Sequence, residues 1–193
     1  MIKRKAIVFI DGSNWYHNSK ALVKPGNIDF IKLSKFICEH FDLNLNEVRY
    51  YNSIPDIADG EEVYYKHIKF LEKLKKQGII VNTRKLKKII KDKIVIEKGV
   101  DVLISADMIK KSLVDKSCDV CILVSGDADF IPVMEIIKET KKEAISCSVL
   151  QGYARELLQG KFRYFILKKE NLDKCLKYYK YTKNLNIATY QIT

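Results

Sequence analysis

No apolar run in this chain approaches the roughly 18 residues that a membrane-spanning helix needs. The basic start MIKRK leads into only a brief apolar stretch, and Asp11 interrupts it too early for the hydrophobic region of a signal peptide. The expectation is a chain with neither a span nor a leader. Five cysteines, an odd number, then fit a reducing cytoplasm better than a disulfide framework. Histidines are only three and scattered, at 17, 40 and 67. Cys118 and Cys121 form a C-x-x-C, yet no second cysteine or histidine pair stands near them. They enter a buried strand and read as small core residues, not as a zinc or redox site. Internal repeats and low-complexity linkers are also missing, and 193 residues suffice for one domain with a core of its own.

Negative charge is the other shortage. Lys and Arg total 35 against 24 Asp and Glu, a net +11 with a pI near 9.3. Such a surplus suits a polyanionic partner, since each lysine or arginine that meets a phosphate releases a condensed counterion. It also suits a lysine-rich background whose charge only maintains solubility. Charge alone does not separate the two.

Apolar runs alternate with helical spacing along the chain, the pattern of a parallel sheet covered by helices. Residues 6–10 (AIVFI) read as a first strand buried on both faces. A short helix over 15–20, a helix over 31–40 and a strand over 47–52 follow. A lysine-rich helix spans 61–77, stopped by Gly78, and a third strand begins at 79–82. Residues 83–97 suggest a basic hairpin turning at Lys91-Asp92-Lys93. Helical spacing resumes over 100–113. The run 120–124 (VCILV) is the next buried strand, and a helix to about 142 and a strand over 144–149 come after it. A short helix over 155–158 and a strand over 164–167 complete the compact part, residues 1–168. The extension 169–193 places Leu172, Cys175, Leu176 and Tyr179 on one helical stripe within a helix over 170–183, suited to docking on the domain or to a homodimer.

Two of the best-defined strands end in aspartate, at Asp11 and, after Ser125-Gly126, at Asp127. Ligands of open α/β sheets bind at that end of the strands. Each aspartate alone reads as a helix N-cap. Neighbouring strands would bring the two together, and clustered carboxylates favour a hard divalent cation that relieves their mutual repulsion. Asp101, opening a helix after Lys98-Gly99-Val100, is a third acid, with capping as its plainer role. Asp129 lies two residues beyond Asp127. Asp107 interrupts an apolar face, where a structural hydrogen bond to a loop outweighs metal ligation. Asn14 and Ser125 supply neutral polar groups beside the acids.

Asp11-Gly12-Ser13-Asn14 after a first strand, Lys98-Gly99-Val100-Asp101 opening a helix, and Ser125-Gly126-Asp127-Ala128-Asp129-Phe130 after a later strand together resemble the NYN domain, in particular its LabA-like branch within the PIN-like nuclease superfamily. The likeness spans about residues 6–167. It implies a three-layer α/β/α, Rossmann-like domain with a mainly parallel sheet. It also implies a metal-dependent nuclease site, associated chiefly with RNA. On that pattern Asp11, Asp101 and Asp127 are the Mg²⁺- or Mn²⁺-site acids, with Asp129 a fourth catalytic candidate and Asn14 and Ser125 in support. The fitting chemistry is metal-assisted phosphodiester hydrolysis. Lys98 and the hairpin lysines Lys87 and Lys88 are candidates for gripping the nucleic acid, with a solvated surface as the alternative. Trp15 and Tyr16 lie just past the first acid. They read as core for Trp15 and, more weakly, as a stacking surface for a single strand.

Two other readings stay open. A phosphatase of the haloacid dehalogenase type needs a second acid two residues after its nucleophilic aspartate, and here that position is Ser13. A non-catalytic RNA-binding scaffold on the same fold keeps the basic surface without the chemistry.

Overall fold

The computed structural model describes residues 2–85, 87–89, 94–96, 99–159 and 161–177. Among them, no helix is long and apolar enough to cross a membrane.

The first strand, β1 (Lys5–Asp11), runs straight into α1 (Gly12–Ser19). Next come α2 (Phe30–His40), β2 (Asn44–Ile54), α3 (Glu61–Lys76) and β3 (Ile80–Lys85). A small antiparallel pair, β4 (Lys87–Ile89) and β5 (Ile94–Ile96), precedes α4 (Val100–Ile109). β6 (Val120–Val124), α5 (Ile131–Glu139), β7 (Glu143–Ser148), β8 (Arg163–Ile166) and α6 (Lys169–Lys174) close the order. Six strands form one sheet in the order β3-β2-β1-β6-β7-β8, and every neighbouring pair is parallel.

Alternation along β1 builds the three layers. Ala6, Val8 and Ile10 face one core with Trp15, Phe30, Leu33, Ile37, Leu71 and Leu74 of α1, α2 and α3. Ile7 and Phe9 face the other, with Ile104, Met108, Met134 and Ile137 of α4 and α5. Residues 6–10 are all 0% exposed, because a central parallel strand is covered on both faces. Asp29 caps α2 by accepting from the amides of Ile31 and Lys32.

Several boundaries depart from the sequence expectation; α1 and β2 each begin three residues earlier than expected. The hairpin is narrower than 83–97, because Thr83–Lys85 extend β3 along Asn52–Ile54. The Lys91–Lys93 turn expected there lies outside the described residues. The helix from Val100 gives way to a π-helical turn over Lys110–Val114, where the Ser112 hydroxyl donates to the Met108 carbonyl at 2.6 Å. Residues 178–183 of the expected C-terminal helix lie outside the described residues, and the helix itself ends at Lys174. There the Asp29 amide donates to the Cys175 carbonyl and the Lys177 amide to the Asn27 carbonyl, so the backbone leaves the helix to pair with the domain. Leu172 and Cys175 are buried in the first core. Tyr179 lies outside the described residues.

Candidate active site

The winding of the chain reverses between β1 and β6. From β1 the sheet grows to β2 and β3; the chain then returns beside β1 at β6 and grows the other way to β7 and β8. A crevice opens at the carboxyl ends of two such strands. In register, Ile10 pairs with Val124, so Asp11 on one strand and Ser125 on the other occupy equivalent positions past the pairing.

Asp11 is 4% exposed and extended. Its Oδ1 accepts from the Asn14 amide at 3.0 Å, capping α1. Its Oδ2 accepts from the Ser125 hydroxyl at 3.2 Å. That hydroxyl, fully buried, also accepts from the Asp127 amide at 3.3 Å. Asp127 Oδ1 in turn accepts from the Asp129 amide at 3.0 Å. Across the crevice, Asn14 Oδ1 accepts from the Gly126 amide at 3.1 Å and from Asn18 Nδ2 at 3.1 Å. Behind this layer the Tyr153 hydroxyl donates to Ser146 Oγ, and Ser146 Oγ donates to the Ser125 carbonyl, tying β7 to the turn after β6. Burial pushes the Tyr153 phenol well above its ordinary range, so it stays a donor.

Two glycines of the motifs are needed for closeness. A Cβ on Gly12 would lie 2.5 Å from the Tyr50 ring and 2.7 Å from the Tyr51 carbonyl. One on Gly126 would lie 2.8 Å from the Gly152 carbonyl and 2.9 Å from Tyr153 Cα. Any larger residue drives the two strand-end loops off their neighbours.

Above these bonds lies a cavity of about 290 Å³, lined by Asp11, Asp101 and Asp127, with Ser13, Asn14, His17 and Asn18 between them. Three carboxylates separated by up to 116 positions thus open on one space. Asp101 reaches it from the first turn of α4. Asp129 is exposed and is not part of the lining; its amide holds Asp127. Ser125 lies beneath the cavity, where it acts on Asp11 and cannot touch a bound strand. Lys98 is outside the described residues, and of Lys87 and Lys88 only the backbone strand is described.

The cavity also takes in His17, which in the sequence lies near Asp11 but reads more plainly as a surface helix position, and Asn18, which belongs to no motif. Asn14 and Asn18 stand one helical turn apart, a spacing that marks a shared polar face. Asp107 is structural: its Oδ2 accepts from Arg49 Nη1 at 2.6 Å and from the Tyr51 hydroxyl at 2.8 Å, both on β2. The expected partner was a loop; the actual partners are strand side chains.

Among the described residues, no group of three or more His, Cys, Asp or Glu side chains is placed to hold a metal ion. The donor chemistry still suits Mg²⁺ or Mn²⁺ in a particular form. Mg²⁺ keeps several waters and takes only one or two carboxylates directly. An open cavity with carboxylates on its walls and amide and hydroxyl groups between them fits a hydrated ion, and a tight cage is not what the side chains form.

A crystal structure of a protein of unknown function from Vibrio parahaemolyticus has the same fold, with a TM-score of 0.63 over 85% of this chain and 92% of that one at 20% identity. No curated protein matches the sequence. The NYN domain family model matches residues 5–168, which takes in every strand of the main sheet and all three acids of the cavity, and the chain belongs to the NYN domain family.

Proposed function

We propose that this protein is a metal-dependent nuclease that hydrolyses phosphodiester bonds, with single-stranded RNA as its substrate. One observation carries the reading: Asp11, Asp101 and Asp127 line a single cavity at the carboxyl end of the two central strands. Membership of a family placed in the PIN-like nuclease superfamily supports it.

Asp11, Asp101 and Asp127 would hold the divalent ion, which when bound lowers the pKa of a water and offsets charge on phosphate oxygens. The chain's own contribution is orientation. The Asn14 amide and the Ser125 hydroxyl fix both oxygens of Asp11, and the Asp129 amide fixes one oxygen of Asp127. These charge-assisted bonds keep the carboxylates aimed before substrate arrives. Asn18 and His17 present further polar groups where a phosphate would lie. The net charge of +11 draws the polyanion toward an otherwise acidic pocket.

The test is cleavage of end-labelled single-stranded RNA, with single-stranded DNA in parallel, in Mg²⁺ or Mn²⁺ and in EDTA. Wild type should yield metal-dependent products on RNA. Asp11→Asn and Asp127→Asn should lose about two orders of magnitude or more in rate while still binding RNA. No metal-dependent products from wild type, with both variants binding RNA equally well, would replace the nuclease with an RNA-binding scaffold.

A further inference from the structure

A second cavity, of about 430 Å³, adjoins the acidic one. Ser13 and His17 line both, so the two spaces meet along one turn of α1. Their character differs sharply. The second cavity is walled by aromatic rings: Trp15, Phe30, Tyr50 and Phe70, with the more exposed Tyr16 beside them. The rings meet edge-on or tilted, Trp15 with Phe30 at 5.7 Å, Phe30 with Tyr50 at 5.2 Å and Tyr50 with Phe70 at 5.8 Å. Asn52 and Lys66 add polar groups to the lining. The Trp15 indole N–H is buried and has no hydrogen-bond partner among the described residues, although its ring borders the cavity. A buried donor of that kind ordinarily meets a partner.

We infer that this cavity receives one unpaired nucleobase of the strand whose phosphodiester lies at Asp11 and Asp127; the inference rests on the nuclease reading for the position of that phosphodiester. Four features select a base. The volume falls in the range of small-ligand sites, about 300–1,000 Å³, enough for a nucleoside and too small for a protein helix. Aromatic walls with amide and hydroxyl groups match a flat heteroaromatic ring with a polar edge better than an aliphatic side chain. The two cavities share Ser13 and His17 as lining, so a phosphate in one and its own base in the other are neighbours. Lys66 and the net charge of +11 suit a phosphate-bearing ligand. A base paired in a duplex cannot enter, so the cavity restricts the substrate to single strands, bulges or ends.

Trp15 is the only tryptophan, so its fluorescence reports directly on occupancy. The 193-residue chain in EDTA is titrated with a single-stranded RNA octamer, with octamers carrying one abasic site at each position in turn, and with a blunt duplex. Two blocking variants accompany it. Val63→Phe enlarges a lining residue that is 60% exposed, and Gly26→Phe adds a side chain where nothing lies within 4 Å of the new Cβ. The octamer should change Trp15 emission saturably. One abasic position should weaken binding about tenfold or more, the scale of a lost stacked base, and the duplex should leave emission unchanged. The blocking variants should melt at the wild-type temperature and bind intact and abasic octamers alike.

Equal affinity for all octamers with unchanged emission overturns the inference, even where metal-dependent cleavage is intact. A change in emission that follows protein concentration without RNA also overturns it, because the occupant is then a second copy of the chain. Base-dependent binding without cleavage in Mg²⁺ leaves the base cavity standing and removes only the nuclease reading.

Discussion

Replacing Ser125 with alanine removes one oxygen from the bottom of the acidic cavity, and the cost follows from its two bonds. The hydroxyl donates to Asp11 Oδ2 at 3.2 Å and accepts from the Asp127 amide at 3.3 Å. A hydrogen bond to a charged group contributes about 1.5–3 kcal/mol, and the length of this one puts it near the lower end. The weaker amide bond adds roughly 0.5 kcal/mol. Ser125→Ala should therefore lose about 2 kcal/mol, a fall of about 4–8 °C in Tm for a chain of this size. The assay is urea unfolding followed by circular dichroism in EDTA, where no ion can mask the effect. A double-mutant cycle with Asp11→Ala isolates the shared bond, and the coupling should reach at least about 1 kcal/mol. A coupling within about 0.5 kcal/mol of zero would show that Ser125 does not hold Asp11, and the account of a pre-aimed carboxylate would fall.

Gly126→Ala should cost about 1–3 kcal/mol, because its Cβ meets the backbone of Gly152 and Tyr153, which cannot rotate aside; thermal melting checks it. Asp107→Asn should lose roughly 2 kcal/mol, less than a fully orphaned buried partner because Glu47 still pairs with Arg49, and should leave metal-induced stabilisation unchanged. A ligand role for Asp107 would instead show as a lost rise in Tm on adding Mg²⁺. The Lys142 ammonium, and then the Lys5 amide, hold the Asp119 carboxyl below its ordinary value of 3.8. A depressed folded pKa means stability present above 3.8 and lost as pH falls through the lowered value. Asp119→Asn should therefore be less stable than wild type at pH 7, by under ~1 kcal/mol for so exposed a pair, with the gap closing in acid. Asp127→Ala should lose about 1 kcal/mol of capping that Asp127→Asn keeps, since an amide oxygen still accepts from the Asp129 amide; unfolding of both variants in EDTA separates them.

How far the sequence could be read follows from the range of the interactions involved. The central strands β1 and β6 were legible because five consecutive apolar residues can be satisfied only by cover on both faces. The helix over 61–76 was legible because Gly78, at φ +83°, adopts a backbone that other residues resist. The three acids were visible as strand-end and helix-start residues, but their union in one cavity depends on β6 returning beside β1. Nothing local encodes that return. The misplaced ends share this cause. Thr83–Lys85 look like one arm of a hairpin until β2 is there to pair with them, and Lys174 ends a helix because Asp29 and Asn27, some 145 positions away, offer backbone partners. The aromatic cavity was least legible of all, since its rings come from α1, α2, β2 and α3, and each reads alone as ordinary core.

Capping and catalysis first stood as rival explanations for Asp11 and Asp127. They prove compatible because a carboxylate has two oxygens. Asp11 caps α1 with Oδ1 while Oδ2 meets Ser125, and Asp127 caps the turn over Ala128–Phe130 with Oδ1. The cap fixes the side-chain rotamer and thereby the direction of the whole group toward the cavity. Folding energy thus does the positioning that a catalytic carboxylate needs, and a site built this way is rigid before any ion or substrate arrives. The same economy explains why each acid alone was ambiguous. A strand that ends in a capping aspartate is common; two adjacent parallel strands that end so, with a third acid entering from α4, bring three like charges to one space, an arrangement that helix capping by itself does not require.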